Sequence, residues 1–316
     1  MAITAPLSTG VAAEVVRGQL RGERFDLAGL LFRLALFASL AFSVLVLAVL
    51  LLDIFTGGWS ALTSRFGDFM SGTLRFSAAE SGIGQGLRGT FWIGIFTVVL
   101  AFPLGIGAGI YLEEYARDTR FTRFINVNIR NLAGVPSIVY GILGFAIFVE
   151  TLGGVTGGIS VISAGITLAI LVLPLVIITS AEAIRAVPNS LREGGYGLGA
   201  TRWEVVRTQV FPYAAPGILT GTVLSLARAL GEAAPLILIG AAQGRLGSNP
   251  GILDVATLDD RFTAIPIVIA YWAGLPDRDF VALTAAAIIV LMTIVLMANA
   301  AAILLRNRFE KKRGTT

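Results

Sequence analysis

Residues 34–52 read LALFASLAFSVLVLAVLLL, nineteen positions without a charge. At about 1.5 Å per residue, such a run matches the roughly 30 Å hydrocarbon core of a bilayer. It predicts a transmembrane helix. Its apolar core exceeds the roughly 7–15 residues of a signal-peptide core, so it reads as an anchor and not as a cleavable leader. Arg17, Arg21, Arg24 and Arg33 precede it. The stretch 12–33 is expected to lie as an interfacial helix on the inner leaflet, its first ten residues fitting a loose tail equally well.

The same pattern recurs along the chain. Residues 89–112, 131–149, 159–181, 214–242 and 280–305 form further apolar runs. The composition agrees: 55% of the 316 residues are hydrophobic and 14% are charged, against about 25% charged in soluble domains. The expected fold class is an all-α integral membrane protein with six transmembrane helices. Residues 1–33 precede the membrane domain 34–305, and 306–316 form a basic tail. Gly153, Gly154, Gly157 and Gly158 are expected to turn the chain into the fourth span. Residues 262–274 are apolar but short and contain Pro266. They are expected to form an extracytoplasmic or re-entrant piece.

Charge orients these spans. With a cytoplasmic N-terminus, six spans place seventeen Lys and Arg residues inside and six outside, and leave Arg228 within a span. Cytoplasmic loops carry such an excess. A seventh span would expel the basic tail.

Chemistry is restricted by what the composition omits. There are no Cys and no His residues, so thiol nucleophiles, Cys/His metal centres and His proton relays are excluded. No cofactor or metal is expected. No G-x-x-x-x-G-K-[ST] loop occurs, and the only lysines are Lys311 and Lys312. Nucleotide energy must therefore come from a partner, or an ion gradient must drive the chain. The basic residues sit at span ends, which gives no reason to expect nucleic-acid binding.

Two polar features interrupt the apolar pattern. The connector 182–213 contains Ser190-Leu191-Arg192-Glu193 and Thr201-Arg202-Trp203-Glu204. Both have the form of a capping box, in which hydroxyl and carboxylate each bond the other's backbone amide. Gly197 and Gly199 lie between them and suit a left-handed turn. The connector reads as helix, turn, helix, then Pro212; spacing alone also fits a plain link between spans. The second feature is Arg228 and Glu232, four apart and expected on one face of span five. Counted from Pro216, Arg228 lies about 18 Å along the helix, near the bilayer centre. A charge there costs about 2.5–3.5 kcal/mol on insertion scales, which calls for a protein or water surrounding. Two readings stand: a self-neutralising pair that holds a neighbouring helix, or a way-point where guanidinium donors meet an oxyanion. Ser137 and Tyr140 offer hydroxyls to such a path, although isolated residues of this kind more often serve packing or contacts between helices. Gly105-x-x-x-Gly109 and Gly217-x-x-x-Gly221 are expected to be close-packing faces. Asp254, Asp259 and Asp260 fall in an outer loop.

The stretch Glu193-Gly194-Gly195, three residues, Gly199, nine residues, Gln209-Val210-Phe211-Pro212 resembles the EAA loop of ABC-importer permeases. Gly194 and Gly195 stand where that pattern has Ala, Gln209 where it has Ile, and Phe211 where it has Leu. Leu132-Ala133-Gly134-Val135-Pro136-Ser137-Ile138-Val139-Tyr140-Gly141 and Val187-Pro188-Asn189-Ser190-Leu191-Arg192-Glu193 resemble phosphate-uptake permeases. So do Ala227-Arg228-Ala229-Leu230-Gly231-Glu232-Ala233-Ala234-Pro235-Leu236 and Leu305-Arg306-Asn307-Arg308-Phe309-Glu310. Pro235-Leu236 after Gly231-Glu232, together with residues 262–266, is similar to the PstA-like branch. The resemblance implies a type I ABC importer permease, not an enzyme, carrying phosphate across the inner membrane. It implies ATPase coupling through Ser190, Glu193, Gly199, Thr201, Glu204 and Pro212, and a substrate path past Arg228, Glu232, Ser137 and Tyr140. The implied partners are a PstC-like second permease, a PstB-like ATPase dimer, a PstS-like extracytoplasmic phosphate-binding protein and membrane lipid. Another oxyanion, or an ion-coupled secondary transporter, remains the alternative.

Overall fold

The computed structural model describes residues 27–244, 246–247, 251–256 and 258–313; the side chains of 305 and 309–313 are outside that description. The expected stretch 12–33 is thus described only from 27 onward, where it is helical. The chain divides into two units, residues 1–53 and 54–316. In the first, residues 27–53 are one helix whose apolar side chains are almost all exposed, as lipid-facing residues are in a chain taken alone.

The described residues fold into helices and connecting turns, with no strand among them. The helices are α1 (Leu27–Ser64), α2 (Phe66–Ser71), α3 (Gly84–Ile110), α4 (Arg120–Ala133), α5 (Ser137–Gly144), α6 (Gly153–Thr156) and α7 (Val161–Arg185). Next come α8 (Asn189–Gly197), α9 (Arg202–Val205), α10 (Phe211–Gly231), α11 (Ala234–Ile239), α12 (Ile265–Ala273) and α13 (Asp279–Arg313). Wider π-type turns continue α3 through Tyr111–Tyr115, α5 through Phe145–Thr151 and α9 through Val206–Val210.

Among the described residues five helical segments are long and apolar enough to cross a membrane, or six if one bent pair counts as a single span. That pair corrects the expected span 131–149: Arg120–Ala133 and Ser137–Thr151 meet at 99°. Pro136 lacks an N–H and its ring clashes with the carbonyl four residues back, so the helix cannot pass through it. The carbonyl concerned, that of Leu132, accepts instead from the Tyr140 hydroxyl at 2.9 Å. Residues 131–133 therefore belong to α4, which carries Arg120, Arg123 and Arg130 beside exposed Phe121 and Phe124. Such an amphipathic helix suits an interface better than a bilayer core.

The expected span 214–242 needs the same correction. α10 ends at Gly231, Glu232 is extended at φ −80°, ψ 118°, and α11 starts at Ala234. Pro235 is again the cause, four residues after Gly231.

α7 lies at the centre of unit two, with Leu168, Val172 and Val176 almost fully buried. Small residues let its neighbours approach. A Cβ on Gly105 would lie 2.6 Å from Val176, and one on Gly109 2.9 Å from Ser180. On the other side Gly217 and Gly221 press on Ala183 and Thr179, at 2.9 and 2.4 Å. Both expected small-residue faces are thus helix contacts. Gly157 and Gly158 turn the chain with positive φ, 79° and 69°, and Ser160 caps α7 through the Ser163 amide.

α12 has nine residues, about 14 Å at helical rise and too short to span. Its Trp272 is buried between Phe69 and Phe280. The loop before it is held by one face of α3. Gln85 donates to the Leu246 carbonyl at 3.2 Å, Arg88 to that of Asp254 at 2.7 Å and Trp92 to that of Ile252 at 2.8 Å.

Candidate functional site

Two places carry polar chemistry. The first is the connector between α7 and α10. α8 begins after Val187-Pro188, and Pro188 itself occupies the cap position with no side-chain cap bond. The expected Ser190–Glu193 capping box is therefore not formed: Ser190 already lies inside the first turn, two residues past the cap position. The second box is formed. The Thr201 amide donates to Glu204 Oε2 at 2.7 Å, and the Glu204 amide donates to Thr201 Oγ1 at 3.4 Å. Gly199 has φ +83° and makes the left-handed turn between α8 and α9, while Gly197 stays within α8. Pro212 follows directly on the π-type turn Val206–Val210, inside the continuous helical stretch Arg202–Gly231, where the locally widened turn accommodates a residue without an N–H. Glu193, Tyr196, Leu198 and Trp203 are exposed, with Leu198 at 91%.

A set of ion pairs ties the connector to the end of α3. Glu114, 4% exposed, accepts from Arg192 Nε at 3.0 Å and Nη2 at 2.8 Å. Its neighbour Glu113 takes both Nε and Nη2 of Arg185. The next residue, Tyr115, lies under the Arg202 guanidinium, 5.3 Å from its ring centre. Sequence reading counted these arginines only as topological charges. The available signal was the adjacent Glu113-Glu114 at the foot of an apolar run. Nearby, Arg123 bonds both oxygens of Asp118 at 2.9 Å, and that hydrogen bonding holds the Asp118 carboxyl below the usual carboxylate range. Both side chains are exposed, so the pair contributes little.

The second place is the end of α10. Arg228 Nε donates to Glu232 Oε1 at 3.3 Å. The two do not share one helix, because Glu232 follows the break at Gly231, yet the pair survives across it. Arg228 exposes 46% of its side chain and Glu232 21%. α5 and α11 pack beside them so closely that a Cβ on Gly141 would sit 2.7 Å from Pro235 Cα. Tyr140 is within electrostatic reach of Arg228, but it is buried and its hydroxyl is bonded to Leu132. That bond holds the bend between α4 and α5. Ser137 is half-buried at the start of α5. Among the described residues no cluster of His, Cys, Asp or Glu suits a metal ion.

Residues 101–311, which contain the connector and both charged sites, match the family described as "Binding-protein-dependent transport system inner membrane component". The chain belongs to this family. Three relatives illustrate its place there. "Probable ABC transporter permease protein YqgI" of Bacillus subtilis is 35% identical over 61% of this chain and 65% of its own length. "Phosphate transport system permease protein PstA 1" of Mycobacterium tuberculosis is 37% identical over 65% of this chain and 66% of its own. The match thus spans just under two thirds of these two relatives. "Phosphate transport system permease protein PstC 2" of Mycobacterium bovis is 32% identical over 78% of this chain and 82% of its own. In fold, the chain is similar to a chain of "Crystal structure of bacterial alginate ABC transporter in complex with alginate pentasaccharide-bound periplasmic protein". There the TM-score is 0.60 with 15% identity, covering 88% of this chain and 96% of that one. The chain is thus a multi-pass inner-membrane transporter component.

Within this family frame, the two adjacent glycines of the connector, Gly194 and Gly195, differ. A Cβ on Gly195 would lie 2.8 Å from Val205 Cγ2, whereas Gly194 has open space. Gly194→Ala is expected to stabilise α8, since Gly in a helix interior is worse than Ala by up to about 1 kcal/mol. Gly195→Ala is expected to push α8 off α9, because Val205 is buried and branched. Proteolysis of the connector in the purified protein checks both: slower cutting for the first variant, faster for the second.

Proposed function

We propose that this chain is the PstA-like permease of an ATP-driven phosphate importer, with both termini cytoplasmic. The observation that carries the reading is the Arg228–Glu232 pair. Nearly half of the Arg228 side chain is uncovered at the end of a helix long enough to span the bilayer. Hydrocarbon is a poor surrounding for a guanidinium, so a second permease subunit and an aqueous path between the two are expected to cover this face. Arg228 presents donors suited to the oxygens of a phosphate. Glu232 holds it and keeps the resting site from trapping the anion, as a conducting site must release what it binds. The phosphate transport names of two relatives favour phosphate among oxyanions.

Energy enters from an ATPase dimer that docks on the connector. Ser190, Glu193, Gly199, Thr201, Glu204 and Pro212 form or shape that docking unit. ATP binding draws the two connectors together and reorients spans four and five around Arg228. A PstC-like permease, a PstB-like ATPase and a PstS-like binding protein complete the complex. The deciding experiment is ATPase activity of the reconstituted complex with phosphate, sulfate, molybdate and phosphonate, each with its binding protein. Stimulation by phosphate alone is expected. Stimulation by another anion instead would overturn the substrate, and uptake driven by an ion gradient without ATP would overturn the class.

A further inference from the structure

In the proposed cycle the connector moves spans four and five, which flank it. The ion pairs at the end of α3 add a third route. Arg192 belongs to α8 and is fastened to two spans at once. It donates to the carbonyls of Ile184 at 2.9 Å and Val187 at 2.7 Å, at the end of α7. It donates to Asn189 Oδ1 at 3.1 Å within its own helix. Its remaining donors grip Glu114 Oε1 on the second span. Glu114 and Arg192 expose only 5% and 17% of their side chains.

The local backbone makes this grip possible. The π-type turn Tyr111–Tyr115, closed by the Ala116 amide on the Tyr111 carbonyl at 2.8 Å, ends the second span. It presents Glu113, Glu114 and Tyr115 in succession to Arg185, Arg192 and Arg202, which come from α7, α8 and α9. A buried carboxylate left without its partner is strongly unfavourable. α8 therefore cannot shift without carrying the end of the second span along.

We infer that Glu114 is a positioning residue that clamps the second span to the connector, so that the two move as one body when ATP binds. This rests on the connector being the seat of the ATPase. The chain has no cysteine, so paired spin labels can be placed in it without background from the chain itself. In the full complex, one pair is set at Arg117→Cys and Gly194→Cys, across the clamp. A second pair is set at Gly194→Cys and Leu296→Cys, from connector to last span. All three positions are exposed or open.

On addition of a non-hydrolysable ATP analogue, the second pair is expected to change distance while the first does not. With Glu114→Gln the first pair is expected to change as well, and phosphate carried per ATP hydrolysed to fall about tenfold. Glu114→Asp is expected to restore both. A change in the first pair in the unmodified clamp overturns the inference, as does a Gln variant that behaves like its parent. Should the Gln variant fail to assemble, Glu114→Gln with Arg192→Gln, which leaves no buried charge unpaired, takes its place: a first pair that changes distance there supports the clamp, and one that stays rigid overturns it. No change in the second pair upon analogue binding, by contrast, would refute the ATPase seat itself.

Discussion

Arg228→Gln is expected to lower phosphate uptake by the assembled transporter roughly 10- to 100-fold, the range that corresponds to losing a charge-assisted hydrogen bond of about 1.5–3 kcal/mol. Subunit assembly, followed by co-purification, should persist, because Arg228 faces the proposed aqueous path and its ion-pair partner, Glu232, is local. Glu232→Gln is expected to act differently. With its counter-charge gone, Arg228 holds the anion more tightly, so both KM and maximal uptake fall together. This split separates a way-point from a mere helix tie, for which both variants would behave alike. Normal uptake in both would remove the pair from the transport path.

The second large effect is structural. A Cβ at position 89 would lie 1.8 Å from the Thr263 carbonyl oxygen and 3.0 Å from its carbon. This obstacle is backbone, and it cannot rotate aside. Nor can the segment slide, since the Ile265 amide donates to Thr90 Oγ1 at 2.9 Å and a Cβ on Gly86 would already touch Val268. Gly89→Ala is therefore expected to destabilise the protein by at least the 1–3 kcal/mol typical of overpacking. The readout is a lowered melting temperature and yield in detergent. Gly107→Ala, with nothing within 4 Å, is the matched control and should melt no lower than the parent.

Much of the fold was legible because bilayer solvation imposes long apolar runs, and a run such as 34–52 needs no partner to be seen. The Thr201 box and the Gly199 turn were legible because their partners lie within three residues. The errors share a different cause. A hydropathy window averages over a whole span, whereas Pro136 and Pro235 act on single hydrogen bonds; both breaks were therefore absorbed into uninterrupted spans. Ser190 had the spacing of a cap, but Pro188 starts α8 earlier and leaves Ser190 inside it. The Glu114–Arg192 pair joins residues 78 apart, a distance along the chain at which spacing carries no information. The Arg228–Glu232 pair was legible as a pair; the helix break between its members was not.

The loop before α12 is tethered by its main chain. Gln85, Arg88 and Trp92 all reach carbonyl oxygens, at Leu246, Asp254 and Ile252. Every amino acid supplies that atom. These tethers are thus indifferent to the side chains at Leu246 and Ile252, although Asp254 also shapes its turn by accepting from the Ala256 amide at 2.9 Å, while Leu253 and Val255 between and beside them point outward, 71% and 61% exposed. Such an arrangement lets this rim diversify its outward chemistry by mutation without being rebuilt, as a picture can be exchanged in a frame that stays on the wall.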